Sequence, residues 1–277
     1  MRNVMKDIPY STQSDAQKLD IYLPSNLPSP YPVIVWLHPG AYTGGDKSIV
    51  EPVVDYMLNG GYAVVSVNYR LASETIFPAQ LFDAKAAVRW IKANASEHRF
   101  NPAAIAAWGV SAGSTFAALL GTTAGVKELE DLSMGNPGES GNVNAVVDII
   151  GPVDFLNFEP QLVRLGYKKS LDTPDAGISM LIGGPPAKFP ERCRAMNPVT
   201  YLTENCPPFY LQHGTADHVV PYLQSVELAD ALIATIGQEK VVLNLLENVD
   251  HFDREHNVPE NIRKAIGFLD RFLKPST

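Results

Sequence analysis

Apolar and polar positions follow two rhythms along this chain, and the switches between them predict its elements. Leu19-Asp20-Ile21-Tyr22-Leu23 alternates at every second residue and stops at Pro24, the pattern of a strand with one covered face. After a Pro-rich turn reaching Pro32, Val33 to Leu37 is a continuous apolar run, which fits a strand buried on both faces of a parallel sheet. Ile49 to Asn59 changes to a helical period, with Val50, Val53, Val54, Met57 and Leu58 on one stripe and Gly60-Gly61 as its stop. Ala63 to Tyr69 predicts the next buried strand. Ala79 to Ala95 predicts a helix whose inner face is Leu81, Ala84, Val88, Ile91 and Ala95, with Asp83, Lys85, Arg89 and Lys92 toward solvent.

The same alternation continues. Strands are predicted at Ile105 to Trp108, Ala145 to Ile150, Phe209 to Gln212 and Val241 to Leu246, and helices at Pro221 to Ile236 and from Pro259 onward. Repeated strand and helix imply an α/β class with a mostly parallel central sheet covered on both faces. Two stretches interrupt it: Lys127 to Asn144 has no strong period, and Asp154 to Pro208 is rich in proline and broken by Gly183-Gly184-Pro185-Pro186. The second lacks the long periodic segments a separate core needs. It reads as a cap-like excursion over the sheet, at about 154–208, of a single domain spanning 1–277.

Candidate chemistry gathers around Gly109-Val110-Ser111-Ala112-Gly113, which follows a predicted strand and opens a small-residue, helix-compatible segment. A strand feeding a helix through one tight turn strains its middle residue, and flanking glycines give that turn room. Ser111 is expected at the apex with its hydroxyl exposed. A serine hydroxyl is a weak nucleophile at neutral pH, so it needs a neighbouring base, and the base needs a third group to orient it. His251, in the loop after the last strand, and Asp217, after the strand before, lie on the same predicted sheet edge. Ser111, Asp217 and His251 are therefore the expected catalytic set. His256 is the rival base; Asp148, inside a strand, and Asp154, one strand early, are rival acids. His213 is expected to be a packing residue and His98 to be solvated. Attack on a carbonyl creates an oxyanion that needs N–H donors. Ala112 supplies one by following the nucleophile. In His38-Pro39-Gly40-Ala41, Pro39 has no N–H, which leaves Gly40 and Ala41.

Composition narrows the partners. The 277 residues carry a formal net charge of -8, which argues against a nucleic-acid or anionic-membrane partner. No window approaches a spanning helix and the N-terminus lacks a signal-peptide core, so a cytoplasmic protein is expected. Cys193 and Cys206 form no disulfide framework and are expected to be free. Asp250, His251, Asp253 and His256 crowd together without metal-ligand spacing, so a solvated loop, and no metal, is expected. Base rates alone favour a homo-oligomer.

Strings along nearly the whole chain resemble carboxylesterases of the α/β-hydrolase superfamily, near its hormone-sensitive-lipase-like and bacterial feruloyl/acetyl-esterase-like branches. They include Leu19-Asp20-Ile21-Tyr22, His38-Pro39-Gly40-Ala41 with Gly45-Asp46-Lys47, Asn68-Tyr69-Arg70-Leu71, Phe77-Pro78-Ala79-Gln80 with Asp83, the serine pentapeptide, Gly151-Pro152-Val153-Asp154 and His213-Gly214-Thr215-Ala216-Asp217. The resemblance implies an α/β-hydrolase fold and a triad in the chain order Ser111, Asp217, His251. It implies oxyanion donors at Gly40 and Ala41 and needs no cofactor. The chain departs from the family's His-Gly-Gly-Gly loop at Pro39 and Ala41, whose methyl would narrow the acyl site, and has Phe252 where glycine usually follows the histidine. The expected function is a serine carboxylesterase acting on small short-chain, acetyl-type esters through an acyl-enzyme. The alternatives are a serine peptidase of the same fold and a non-catalytic ligand-binding protein.

Overall fold

A computed structural model describes residues 3–25, 27–50, 53–168, 171 and 173–274. Its strands form one sheet of eight: β1 (Asn3–Pro9), β2 (Lys18–Leu23), β3 (Tyr31–Leu37), β4 (Ala63–Val67), β5 (Phe100–Val110), β6 (Ala145–Ile149), β7 (Phe209–Gly214) and β8 (Val241–Leu246). They lie in the order β1-β2-β4-β3-β5-β6-β7-β8. Only the β1–β2 and β2–β4 pairs are antiparallel. This is the α/β-hydrolase fold with its mostly parallel sheet.

Two-faced burial explains why the central strands read as unbroken apolar runs. Val33, Val35 and Leu37 of β3 join one core, whereas Ile34 and Trp36 join the other. Helix α1 (Val54–Asn59) contributes to the second core; α2 (Ala79–Ala93), followed by the short α3 (Ala95–His98), and α4 (Ala112–Thr122) contribute to the first. From β3 the chain turns one way to β4, and then returns past it to β5 on the other flank. The carboxyl ends of β3 and β5 therefore part at a switch point, where open α/β sheets leave a crevice.

Past β6 the excursion carries three short helices, α5 (Phe158–Arg164), α6 (Gly177–Ile182) and α7 (Pro190–Met196). Helix α8 (Leu223–Ile236) joins β7 to β8, and α9 (Pro259–Leu273) packs beside α1 in the second core. Cys193 and Cys206 are buried thiols, not a disulfide. Among the described residues no helix is long and apolar enough to cross a membrane.

Five readings need correction. Strand β1 goes unforeseen because its pairing with β2 shifts register between Met5 and Ile8, which breaks the two-residue period. Strand β2 is covered on both faces rather than one: Asp20 is buried because Lys47 reaches it at 3.0 Å. The predicted helix over Ile49 to Asn59 is a 3-10 turn at Lys47–Val50 and a six-residue α1, with residues 51 and 52 outside the described set.

The fourth concerns α2. Asp83, Lys85 and Arg89 are buried instead of solvated, and Lys92 is half-buried. Each buried charge has a partner, which is what makes its burial tolerable. Asp83 accepts from Arg70 at 2.8 Å. Lys85 and Arg89 share Glu130, at 2.9 and 3.1 Å, and Arg89 also donates to the Asp131 and Gly135 carbonyls. The aperiodic stretch after α4 thus folds back over a face that its charges made look exposed. His98 is likewise buried, with its ring between those of Trp90 and Phe100.

Candidate active site

Steric crowding shapes the turn between β5 and α4. A Cβ on Gly109 would lie 2.4 Å from the Cα of Ser114, and one on Gly113 would lie 2.1 Å from the Leu37 carbonyl oxygen. Only glycine fits either position. Ser111, between them, is held at φ 51° and ψ -120°, a strained conformation for a residue with a side chain, and its N–H donates to the Ile149 carbonyl at 2.8 Å. The strain aims the hydroxyl over the carboxyl edge of the sheet.

Two further loops meet it there. A Cβ on Gly214 would lie 2.1 Å from the Val249 carbonyl oxygen, and Ala216 N–H donates to that same oxygen at 3.1 Å, so the loops after β7 and β8 are bound together. His251 Nε2 consequently lies 3.1 Å from Ser111 Oγ, and its Nδ1 lies 2.7 Å from Asp217 Oδ2. A carboxylate facing Nδ1 fixes the proton on that nitrogen and leaves Nε2 as an acceptor for the serine hydroxyl. Asp217 is fully buried and its Oδ1 accepts from the Val219 and Val220 amides, each at 2.8 Å. Burial alone would raise its pKa, but hydrogen bonds from the His213 and His251 rings outweigh that and hold the carboxyl well below the usual carboxylate range.

The rivals stand apart from this chain of contacts. His256 directs Nε2–H to the Asp250 carbonyl at 2.9 Å. Asp148 accepts from the Gly151 amide beneath the turn, and Asp154 accepts from the Leu156 amide in its own loop. Asp250, from the crowded group, accepts from the His251 amide at 2.7 Å and from the His218 ring, also at 2.7 Å.

The loop after β3 is fixed by aromatic residues that the sequence did not single out. The His38 ring stacks on Tyr69 at 4.3 Å and 8°, the Tyr69 hydroxyl donates to the His38 carbonyl at 2.6 Å, and His38 Nδ1–H donates to the Pro39 carbonyl at 2.9 Å. Burial lowers the His38 pKa, so the ring acts as a neutral strut. Ala41 and Tyr42 follow at φ 51° and 68°, in the left-handed region. Tyr42 is pinned by its hydroxyl, 2.8 Å from Thr115 Oγ1 on α4. Gly40 and Ala41 line the crevice beside Ser111, and Ala112 opens α4, so its N–H belongs to the first turn, which has no intrahelical acceptor.

Ser111 and Ala41 stand between two cavities. One, of about 130 Å³, is walled by Tyr42, Ala112, Phe158, Leu171 and Ile178, so the excursion forms one side of it. The other, of about 490 Å³, is lined by Gly40, Ile49, His251, Phe252 and His256. His213 also belongs to the site rather than to plain packing, because its Nε2 lies 3.2 Å from Asp217 Oδ2. Its place four residues before Asp217, inside one of the family-like strings, was the available signal.

A serine strained at a strand-to-helix turn, with histidine and aspartate delivered from the two following loops, defines the α/β-hydrolase class. Within that class, the BD-FAE family model matches residues 19–232, and the chain belongs to that family. Among curated proteins, Esterase LipC of Mycobacterium tuberculosis (strain ATCC 25618 / H37Rv) is 28% identical over 241 residues, 83% of this chain and 55% of LipC. The chain spans about half the length of curated relatives it matches, LipC among them. Among solved structures, a bifunctional GH43-CE protein of Bacteroides eggerthii aligns with a TM-score of 0.87 and 33% identity over 97% of this chain and 35% of that one. A truncated form of a carbohydrate esterase from gut microbiota aligns at 0.86 and 27% identity, covering 97% of this chain and 95% of that one.

Proposed function

We propose that this chain is a serine carboxylesterase that cleaves small esters through a covalent acyl-enzyme. The single observation that carries the reading is the unbroken line from Ser111 Oγ through His251 to Asp217, at 3.1 and 2.7 Å. In it, Ser111 attacks the ester carbonyl while His251 Nε2 takes the hydroxyl proton and Asp217 stabilises the resulting imidazolium. The amides of Gly40, Ala41 and Ala112 receive the oxyanion, where each donor is worth about 2.7 to 4 kcal/mol. His251 then returns its proton to the departing alcohol, and water, activated by the same imidazole, releases the acid. Serine, histidine and aspartate supply nucleophile, base and orienter, so the reaction calls for no cofactor.

The two cavities divide the substrate. The leaving oxygen must lie where His251 can protonate it, which assigns the alcohol to the larger cavity, the one that His251 lines. The acyl group is left the small cavity beside Ala112, whose bounded, mostly apolar lining supports a short chain, acetyl-type esters being the shortest that fit it. The esterase names of the curated relatives support the reaction class. The reading takes 1–277 as one domain with the 154–208 excursion as its acyl wall, acting on a small-molecule ester in the cytoplasm.

Turnover of p-nitrophenyl acetate tests the reading: Ser111→Ala is expected to lose at least about 10⁴-fold in kcat. Activity retained in that variant removes serine from the mechanism.

A further inference from the structure

His213 lies one layer behind the proposed triad, and its surroundings require a hydrogen on one particular ring nitrogen. The side chain is fully buried. Its Nε2 faces two acceptors, Asp217 Oδ2 at 3.2 Å and the Val220 carbonyl at 3.0 Å. A bare nitrogen between two oxygens would leave three lone pairs opposed, so the hydrogen sits on Nε2 and is shared between them. Nδ1 lies 2.7 Å from Ser225 Oγ, whose hydroxyl can donate to it. With Nδ1 accepting and Nε2 donating, every polar atom of the buried ring has a partner.

Asp217 Oδ2 therefore receives two imidazole N–H groups, from His251 and from His213, while Oδ1 receives two amides. Four donors around one carboxylate leave it no freedom to rotate, and the second imidazole draws off part of the charge that His251 would otherwise meet alone. We infer that His213 is a positioning residue for the esterase reaction: with Ser225 behind it, it locks the Asp217 carboxylate toward His251 and tempers its hold on that ring. The inference rests on the serine-esterase reading above.

The expected signs follow. Without the His213 donor, Asp217 keeps its charge but shares it less, so protonated His251 is favoured and the base becomes available only at higher pH. His213→Leu removes the N–H at similar volume. His213→Gln keeps an N–H at the same remove from Cβ. The other titratable groups about the pair are Asp148 on β6 and His256, both electrostatically coupled to His213, and Asp250, whose carboxylate accepts the His251 amide; both substitutions remove that coupling alike, so the Leu and Gln variants are compared with each other for the effect of the N–H.

In the Leu variant kcat for p-nitrophenyl acetate is expected to fall about tenfold, the scale of one charge-assisted hydrogen bond, with KM unchanged. The acid limb of its kcat/KM profile is expected to move up by about half a pH unit. The Gln variant is expected to recover most of both. An unchanged kcat and limb in the Leu variant, or equal impairment in both variants with the limb unmoved, overturns the inference. If His213→Leu does not fold, ¹⁵N shifts of the wild-type ring decide: a hydrogen on Nε2 supports it, and a bare Nε2 overturns it. Ser111→Ala separates the two levels, because activity surviving there defeats the esterase reading itself, whereas an inactive Ser111→Ala beside unaffected His213 variants defeats only this inference.

Discussion

Around Ser111 backbone meets backbone, and a Cβ added at Gly109 or Gly113 would fall 2.4 or 2.1 Å from main-chain atoms of other residues. The excursion that covers Ser111 is built differently. Its helices α5, α6 and α7 run six or seven residues, none has a side-chain N-cap, and Val163 on α5 lies 65% exposed. The two regions touch where a Cβ on Gly177 would fall 2.0 Å from the Ala41 carbonyl oxygen. Close backbone contact admits one residue type per position, whereas short helices packed by side chains admit many. Under the proposed function, the difference means that the sheet edge fixes whether the reaction occurs and the excursion tunes which ester is taken.

Changes at the sheet edge should therefore abolish turnover, and changes in the excursion should only re-rank substrates. The largest effect is expected at Asp217→Asn. Oδ1 already accepts two amides, so the new NH₂ group faces His251 Nδ1, forces its proton to Nε2 and leaves Ser111 without an acceptor. A wrong tautomer costs about 10⁴-fold in kcat with little change in KM, read by steady-state kinetics. Gly113→Ala comes next. Its methyl has nowhere to go beneath the Leu37 carbonyl, and urea denaturation should show a loss of about 3 kcal/mol together with the loss of esterase activity.

Asp148→Asn sharpens the comparison from beneath the turn, and its effect depends on pH. Burial pushes the Asp148 carboxyl up to about 6, and its Oδ2 has no hydrogen-bond partner. An acid that holds its proton more tightly when folded is most favourable below its unfolded value near 3.8, and stability is lost as pH rises through about 6. The amide escapes that penalty, so denaturation at about pH 8 should show a gain of up to about 3 kcal/mol that vanishes near pH 4. The smallest effect is expected at Ile178→Ala on α6. Enlarging the small cavity should raise kcat/KM for butyrate over acetate esters by about tenfold while acetate turnover stays within a few-fold, measured across a chain-length series. A loss of acetate turnover as large as that of Asp217→Asn would erase the distinction between the two regions.

Legibility in the sequence divides along the same line. Val33 to Leu37 could be read as a central strand because burial on both faces leaves no polar position, and the glycines around Ser111 could be read because a steric demand is local. Ser111, Asp217 and His251 were each identifiable from the strand they follow, and the structure brings all three within hydrogen-bonding reach. What escaped depends on distant partners. Lys85 and Arg89 look solvated until Glu130 arrives from an aperiodic stretch, and β2 looks half-exposed until Lys47 reaches Asp20. Phe158, Leu171 and Ile178 line one cavity only because segments without a clear period converge, so that wall carries no sequence signature.

The carboxylate at Glu130 has a consequence of its own. It serves two cations lying inside the protein, and the backbone just beyond it caps Arg89 through the Asp131 and Gly135 carbonyls. Past that anchor, Pro137 to Ser140 is exposed, and a Cβ on Gly138 would meet nothing within 4 Å. Inserted residues would be absorbed in that turn, whereas even one added between Lys127 and Gly135 would draw the anchor off both cations. The polar stretch thus has a fixed length in its first half and a variable one at its tip, which makes the tip the place to graft a tag or a label without disturbing the sheet.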